Sequence, residues 1–234
     1  MRRVRSQAMS RRARITTALV AISVPILIVG NSLLVLLMPW LPAFQYALPE
    51  FPEDPSGLTG GERIELANTG VRSIWPVGPG PNLLETAELP DGEPAFTVAE
   101  ISHMDDVRAV VRVTLGAWLA ALAIFLAGAA IFGRGEGTGG LRRALLAGGL
   151  LTAGLLAVVA LIGLTSFDFF FEGFHSILFE SGTWQFPMDS TLIELYPERF
   201  WMTAALIGGL LILAQVVIAV ALGRARPDAG DPVR

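Results

Sequence analysis

Four stretches of this chain, Ile15–Trp40, Val113–Phe132, Ala144–Ser166 and Trp201–Leu222, contain no Asp, Glu, Lys or Arg. At about 1.5 Å per helical residue, each is long enough to cross a hydrocarbon core of roughly 30 Å. A backbone in lipid must satisfy its own N–H and C=O groups, so such segments fold as helices. The expected class is an all-α integral membrane protein with four transmembrane helices, at about 15–40, 113–132, 144–166 and 201–222. Two extracytoplasmic segments, about 41–106 and 167–200, form an interfacial cap. With 53% of its residues hydrophobic and 16% charged, the chain has little soluble mass, so 1–234 reads as a single four-helix membrane domain.

All seventeen basic residues are arginine, and their placement orients the bundle. Arg2, Arg3, Arg5, Arg11, Arg12 and Arg14 precede the first span. Arg134, Arg142 and Arg143 lie between the second and third, and Arg224, Arg226 and Arg234 follow the fourth. The positive-inside rule then puts both termini in the cytoplasm. Segment 41–106 carries twelve acids against only Arg63 and Arg72, as expected of the opposite side. No basic cluster points to nucleic acid. The first apolar run exceeds a signal-peptide core and lacks a small-residue cleavage site, so it reads as a retained span. The absence of cysteine removes disulfides, thiol nucleophiles and thiolate metal sites from consideration.

The first outer segment alternates linkers with structure. Leu41–Gly61 and Pro76–Pro94 are rich in Pro, Gly and acids and read as surface linkers, whereas Glu62–Trp75 has the spacing of a short amphipathic helix. Ser102, three residues before Asp105, forms a capping-box pattern that starts a helix at His103. In the second outer segment, the run from Asp168 to Phe179 is too aromatic for a solvated loop and too interrupted for a fifth span; it belongs in the interface. Ser190–Tyr196 reads as a short helix, and Pro197 suits the first turn of the fourth span. Small residues every four positions, Ala144, Gly148 and Thr152, and Ala204 with Gly208, let helices approach closely and need no other role.

Histidine occurs only twice, at His103 and His175, and both fall at the outer ends of predicted membrane helices. Imidazole is the side chain best suited to move protons near neutral pH. A lone interfacial histidine is more often a polar anchor than a catalyst, but two on one side of a bundle are a candidate acid/base pair. Asp106 is placed to orient His103, although an acid in a first helical turn also complements the helix dipole. Arg108 and Arg112, spaced i and i+4, suit snorkelling to the interface or an anionic headgroup. Arg72 is a further polar candidate. Phe174, Phe179, Trp184 and Phe186 suit both an acyl-chain groove and an aromatic belt. No phosphate loop, zinc motif or nucleophile elbow is present.

Several of these pieces fall in a recognisable order. Glu100-Ile101-Ser102-His103-Met104-Asp105-Asp106-Val107 precedes the second span, and Phe174-His175-x-x-Leu178-Phe179 with Trp184-x-Phe186 follows the third. Asp189-Ser190-Thr191-Leu192-Ile193 and Pro197-Glu198-x-Phe200-Trp201 lead into the fourth. The combination resembles the bacterial lipoprotein intramolecular transacylases, Lit, and their integral membrane relatives, over most of the chain.

That resemblance implies that His103 and His175 are the functional pair of a membrane-embedded acyltransferase. The reaction implied moves an acyl chain from the S-glyceryl group of a lipoprotein to the amino group of its N-terminal cysteine, giving the lyso form. The expected partners are a diacylglyceryl-modified lipoprotein and membrane lipids, with no cofactor and no metal. The expected location is the bacterial cytoplasmic membrane, with the site on its extracytoplasmic side. The chain departs from the family in its lack of lysine, its long acidic first outer segment and its Arg-rich ends. Sequence alone does not say which histidine is the base. A non-enzymatic accessory protein of the same family is the main rival. A haem carrier would hold histidines inside the bundle, and a transporter would place ionisable groups near midplane.

Overall fold

The computed structural model describes residues 10–49, 51–136 and 138–225; Arg2, Arg3, Arg5, Arg226 and Arg234 lie outside them. The described chain is almost entirely helical: α1 (Arg11–Leu36), α2 (Trp40–Tyr46), α3 (Gly60–Ser73), α4 (Asn82–Glu85), α5 (Val98–Ile131), α6 (Gly139–Thr165), α7 (Phe167–Leu178), α8 (Thr191–Leu195) and α9 (Glu198–Arg224). A π-helical turn, Phe132–Glu136, follows α5. Among the described residues there is no strand, and a single antiparallel bridge pairs Glu88 with Pro94. Four helices, α1, α5 with its π turn, α6 and α9, are long and apolar enough to cross a membrane.

The chain packs as two compact units. The first draws on Met1–Val29, Ala117–Leu156 and Ile212–Arg234. Val24, Ile28 and Val216 form its centre with Phe125, Leu145 and Ile212 around them. Leucines and valines such as Leu126, Leu150, Leu155 and Val217 point outward and are more than half exposed. An apolar exterior around a close-packed centre is the arrangement lipid demands. Small residues set the closeness of approach. Pro25 has no N–H to give the Ala21 carbonyl one turn back, and that carbonyl faces Gly148, where a Cβ would stand 2.6 Å from the oxygen. Thr152, one turn along α6, is buried and returns its hydroxyl to the Gly148 carbonyl at 2.8 Å.

The second unit, Gly30–Gly116 with Ala157–Leu211, contains both long connections. Its core comprises Leu41, Leu66, Ala67, Leu84, Phe96, Met104, Leu192, Leu195, Tyr196 and Phe200. The segments that read as linkers contain the short helices α2 and α4, and distant side chains tie them down by satisfying some of their carbonyls. Arg63 on α3 is buried, pairs with Asp54 at 3.2 Å and donates to the carbonyls of Pro52 and Glu194, both at 2.8 Å. The Tyr46 and Phe51 rings flank its guanidinium at 4.6 and 5.1 Å. Arg108 donates to the carbonyls of Trp75 (3.0 Å) and Gly78 (2.7 Å), and Arg112 to that of Pro76 (3.2 Å). The two arginines read from sequence as headgroup ligands or snorkelling anchors therefore hold a turn of the chain. Gly80 sits beside them at φ +73°, and the Arg108 guanidinium fills the space a Cβ would take.

α5 starts earlier than the Ser102 pattern suggested. Thr97 caps it: Glu100 Oε2 accepts from the Thr97 N–H at 2.7 Å and from its hydroxyl at 2.8 Å, and the Thr97 hydroxyl accepts the Glu100 N–H at 3.3 Å. Ser102 and Asp105 are exposed residues inside the helix. At about 1.5 Å per residue α5 is about 50 Å long, well beyond a core of roughly 30 Å. Its first turns, which carry Glu100, His103, Asp105, Asp106, Arg108 and Arg112, precede the charge-free stretch Val113–Phe132, and we read that stretch alone as the membrane-spanning part.

Candidate active site

His103 lies in the second turn of α5, and His175 lies in the last turn of α7. α7 begins where Ser166, in extended conformation, accepts the Phe169 N–H at 3.2 Å and breaks the line of α6. Spacing of four then stacks Phe167, Phe171 and His175 along one face of α7, with Phe167 and Phe171 rings 6.0 Å apart and Phe171 and His175 4.0 Å apart. The helix stops at Phe179, whose N–H donates to the His175 carbonyl.

The structure brings the two histidines together. Their ring centroids are 6.3 Å apart with planes 27° from parallel. That separation keeps the ring nitrogens beyond the roughly 3 Å of a direct hydrogen bond. Aromatic rings close the surroundings. Phe179 touches both histidines, at 5.0 Å from His103 and 5.6 Å from His175. Phe186 packs edge-on against His103 at 5.5 Å, while Trp184 and Phe174 approach His175 at 4.8 and 5.3 Å. His103 is 7% exposed and His175 9%.

Burial sets the charge of both rings. It pushes the His103 imidazolium pKa down to about 4, with the neighbouring His175 adding to the effect and Asp106 opposing it. Burial also lowers His175, against the opposing bond from its ring to the Phe171 carbonyl. Both are therefore neutral at pH 7, the form that can accept a proton. The tautomer of His175 follows from its contact: Nδ1 lies 2.8 Å from the Phe171 carbonyl, which only accepts, so Nδ1 carries the proton and the Nε2 lone pair is free.

The other sequence candidates divide. Asp106 is exposed on the next turn of α5, and the buried Nδ1 of His103 has no hydrogen-bond partner among the described residues, so Asp106 acts on His103 through charge rather than by gripping the ring. Arg72 turns back on α3, donating to the Asn68 carbonyl at 3.3 Å and the Thr69 hydroxyl at 3.0 Å. Phe179 and Trp184 also line a cleft of about 190 Å³ with Glu172, Ser176, Ser181 and Gln185. Phe174 is 48% exposed and packs toward Phe170. Among the described residues, no three His, Cys, Asp or Glu converge as a metal site.

Two residues that sequence reasoning left out of the site support it. Phe171 supplies the carbonyl that fixes the His175 tautomer, a role implicit in its i−4 position. Glu100 accepts the Leu192 N–H at 2.8 Å with its second carboxylate oxygen, joining the start of α5 to α8; the signal was the Thr97-x-x-Glu100 pattern.

A family model described as lipoprotein intramolecular transacylase Lit matches residues 18–201 of the chain. An uncharacterized protein of Aquifex aeolicus (strain VF5) is 28% identical over 168 residues, 72% of this chain and 74% of that protein. Among solved structures, the membrane integral lipoprotein intramolecular transacylase Lit from Bacillus cereus superposes with a TM-score of 0.80 at 22% identity, covering 92% of this chain and 96% of that one. A form of that protein with one histidine replaced by arginine gives 0.73 at 22% identity, covering 91% of each chain. At this level of identity the structural likeness speaks for the fold: a multi-pass membrane bundle.

Proposed function

We propose, from the premise that the chain belongs to the lipoprotein intramolecular transacylase family, that it moves an acyl chain from the S-glyceryl group of a bacterial lipoprotein to the amino group of that lipoprotein's N-terminal cysteine. The observation that carries the reading is the pair of neutral imidazoles 6.3 Å apart inside an aromatic enclosure, with the tautomer of His175 set by the Phe171 carbonyl. Aminolysis of an ester needs a base for the amine proton, a stabilised oxyanion and a proton for the departing alcohol.

The geometry supports a division of labour. His175, with Nδ1 tied to Phe171, offers Nε2 as the base that takes the proton from the attacking amine. His103, whose Nδ1 is unengaged, donates from one ring nitrogen to the oxyanion. The N–C bond forms, the C–O bond to glycerol breaks, and the proton held by His175 passes to the glycerol oxygen. No net proton is gained or lost. Because donor ester and acceptor amine belong to one molecule, tethering supplies the proximity, and the site has only to align them.

The arginine distribution supports a site on the extracytoplasmic face of the cytoplasmic membrane, with Arg11, Arg12, Arg14, Arg134, Arg142, Arg143 and Arg224 on the opposite side. Mass spectrometry of a model lipoprotein's N-terminus, after expression with and without this chain, tests the reading. The expected result is appearance of the N-acylated lyso form. A well-expressed protein that converts none of several lipoproteins would instead favour the accessory role.

A further inference from the structure

The cleft beside His175 is unlike a binding groove for acyl chains: four of its six lining residues, Glu172, Ser176, Ser181 and Gln185, are polar. Its two aromatic walls, Phe179 and Trp184, are the same rings that pack on the histidines, at 5.6 and 4.8 Å from His175. The cleft therefore adjoins the paired imidazoles through these two rings, with neither histidine in its lining. Glu172 is exposed and precedes His175 by three residues on α7, so its carboxylate lies one turn away on the same side of the helix. The Trp184 indole N–H is buried and has no hydrogen-bond partner among the described residues, although indole nitrogens in such settings ordinarily find one.

We infer that this cleft is the subsite for the unacylated peptide N-terminus of the substrate, with Glu172 holding its α-ammonium and Trp184 covering it. The inference rests on the transacylase reading and names the part of the substrate it recognises. An N-terminal peptide carries one cation followed by carbonyl and amide groups. The cleft offers one carboxylate, an aromatic face and the hydroxyls and amide of Ser176, Ser181 and Gln185. An α-amine with a pKa of about 7.7 to 8.0 is largely protonated at pH 7, so it is the ammonium that is captured. It reacts after losing that proton to water at the exposed Glu172 end. The acyl chains are left to the apolar surface of α7, where Phe169 is 68% and Ile177 84% exposed. The product fits poorly: once acylated the nitrogen is neutral, and Glu172 has no cation to pair with. Product release is thereby built into recognition.

The test is binding of two unreactive dialkyl-ether analogues of an S-glyceryl-cysteinyl lipopeptide, one with a free amino terminus and one acetylated there, to purified protein in detergent. Wild type should prefer the free amine by about ten-fold, the scale of one charge-assisted hydrogen bond. Glu172→Gln should lose that preference while still binding the acetylated analogue as wild type does, which shows the variant is folded. Gln185→Glu should widen the preference by adding a second carboxylate to the cleft. Equal binding of both analogues by wild type, or an undiminished preference in Glu172→Gln, overturns the subsite even if the protein converts reactive lipopeptide. A wild type that neither binds the analogues nor converts lipopeptide overturns the transacylase reading itself.

Discussion

Glu100 accepts the backbone N–H of Leu192 at 2.8 Å across 92 positions of sequence, while its other oxygen caps α5 through Thr97. Glu100 is 1% exposed and stands one turn before His103, and Leu192 lies in the first turn of the short helix that follows Trp184 and Phe186. One side chain thus fixes both the helix that carries His103 and the segment that walls it.

Glu100→Ala should therefore cost about 2 to 4 kcal/mol, the sum of a lost helix cap and an orphaned buried N–H. Glu100→Gln should cost less, since its single carbonyl oxygen can serve one of the two N–H groups. Thermal unfolding in detergent checks the order wild type, Gln, Ala; an unchanged midpoint in the alanine variant would contradict the structural role.

Two imidazoles acting on one tetrahedral intermediate should show non-additive loss. His103→Ala and His175→Ala should each slow lyso-form production by at least about 100-fold, with the double variant little worse than either. Asp106→Asn should cost less, because its carboxylate makes no bond to the ring. Rates measured on a synthetic diacylglyceryl lipopeptide decide this. Near-normal activity in either single histidine variant, at matched expression, would remove the pair from the mechanism.

Topology can be read by cysteine labelling, because the chain has no cysteine of its own. Val77→Cys and Ser181→Cys, at exposed positions in the two long connections, should react with an impermeant thiol reagent on intact cells. Thr138→Cys, in the turn before α6, should react only after permeabilisation. Gly80, though central in its connection, is a poor site: its φ of +73° and the Arg108 guanidinium exclude a side chain. Labelling of Thr138→Cys alone in intact cells would reverse the orientation.

The sequence made the four apolar helices and the two histidines visible because both signals are local. Length without charge announces a helix fit for lipid, and two histidines in 234 residues invite comparison. The start of α5 was less legible. Thr97-x-x-Glu100 and Ser102-x-x-Asp105 are equivalent patterns until Leu192, in another part of the chain, chooses Glu100. The Pro- and Gly-rich stretches read as linkers for the same reason, since their carbonyls are satisfied by Arg63, Arg108 and Arg112 from elsewhere. The polar cleft of Glu172, Ser176 and Gln185 was hidden by the phenylalanines around it, which dominate any average over α7.

The last expectation concerns protons. Burial holds both imidazoles below the ordinary histidine value of about 6.5, His103 at about 4. The folded protein therefore binds fewer protons than the unfolded chain as the pH falls below 6.5, and linkage requires stability to decline across the interval from there to about 4. Above 6.5 both states carry neutral rings and the contribution is flat. With only two histidines in the chain, ¹⁵N-histidine NMR reads each ring directly, one single-alanine variant assigning the pair. Neither ring should be half-protonated at pH 6.5. Asp106→Asn should lower the His103 midpoint further by removing the carboxylate that favours its cation, and His175→Ala should raise it by removing a neighbour that disfavours it. Titration of both rings at the ordinary value would mean that the enclosure is open to water and that burial does not set the charge of the pair.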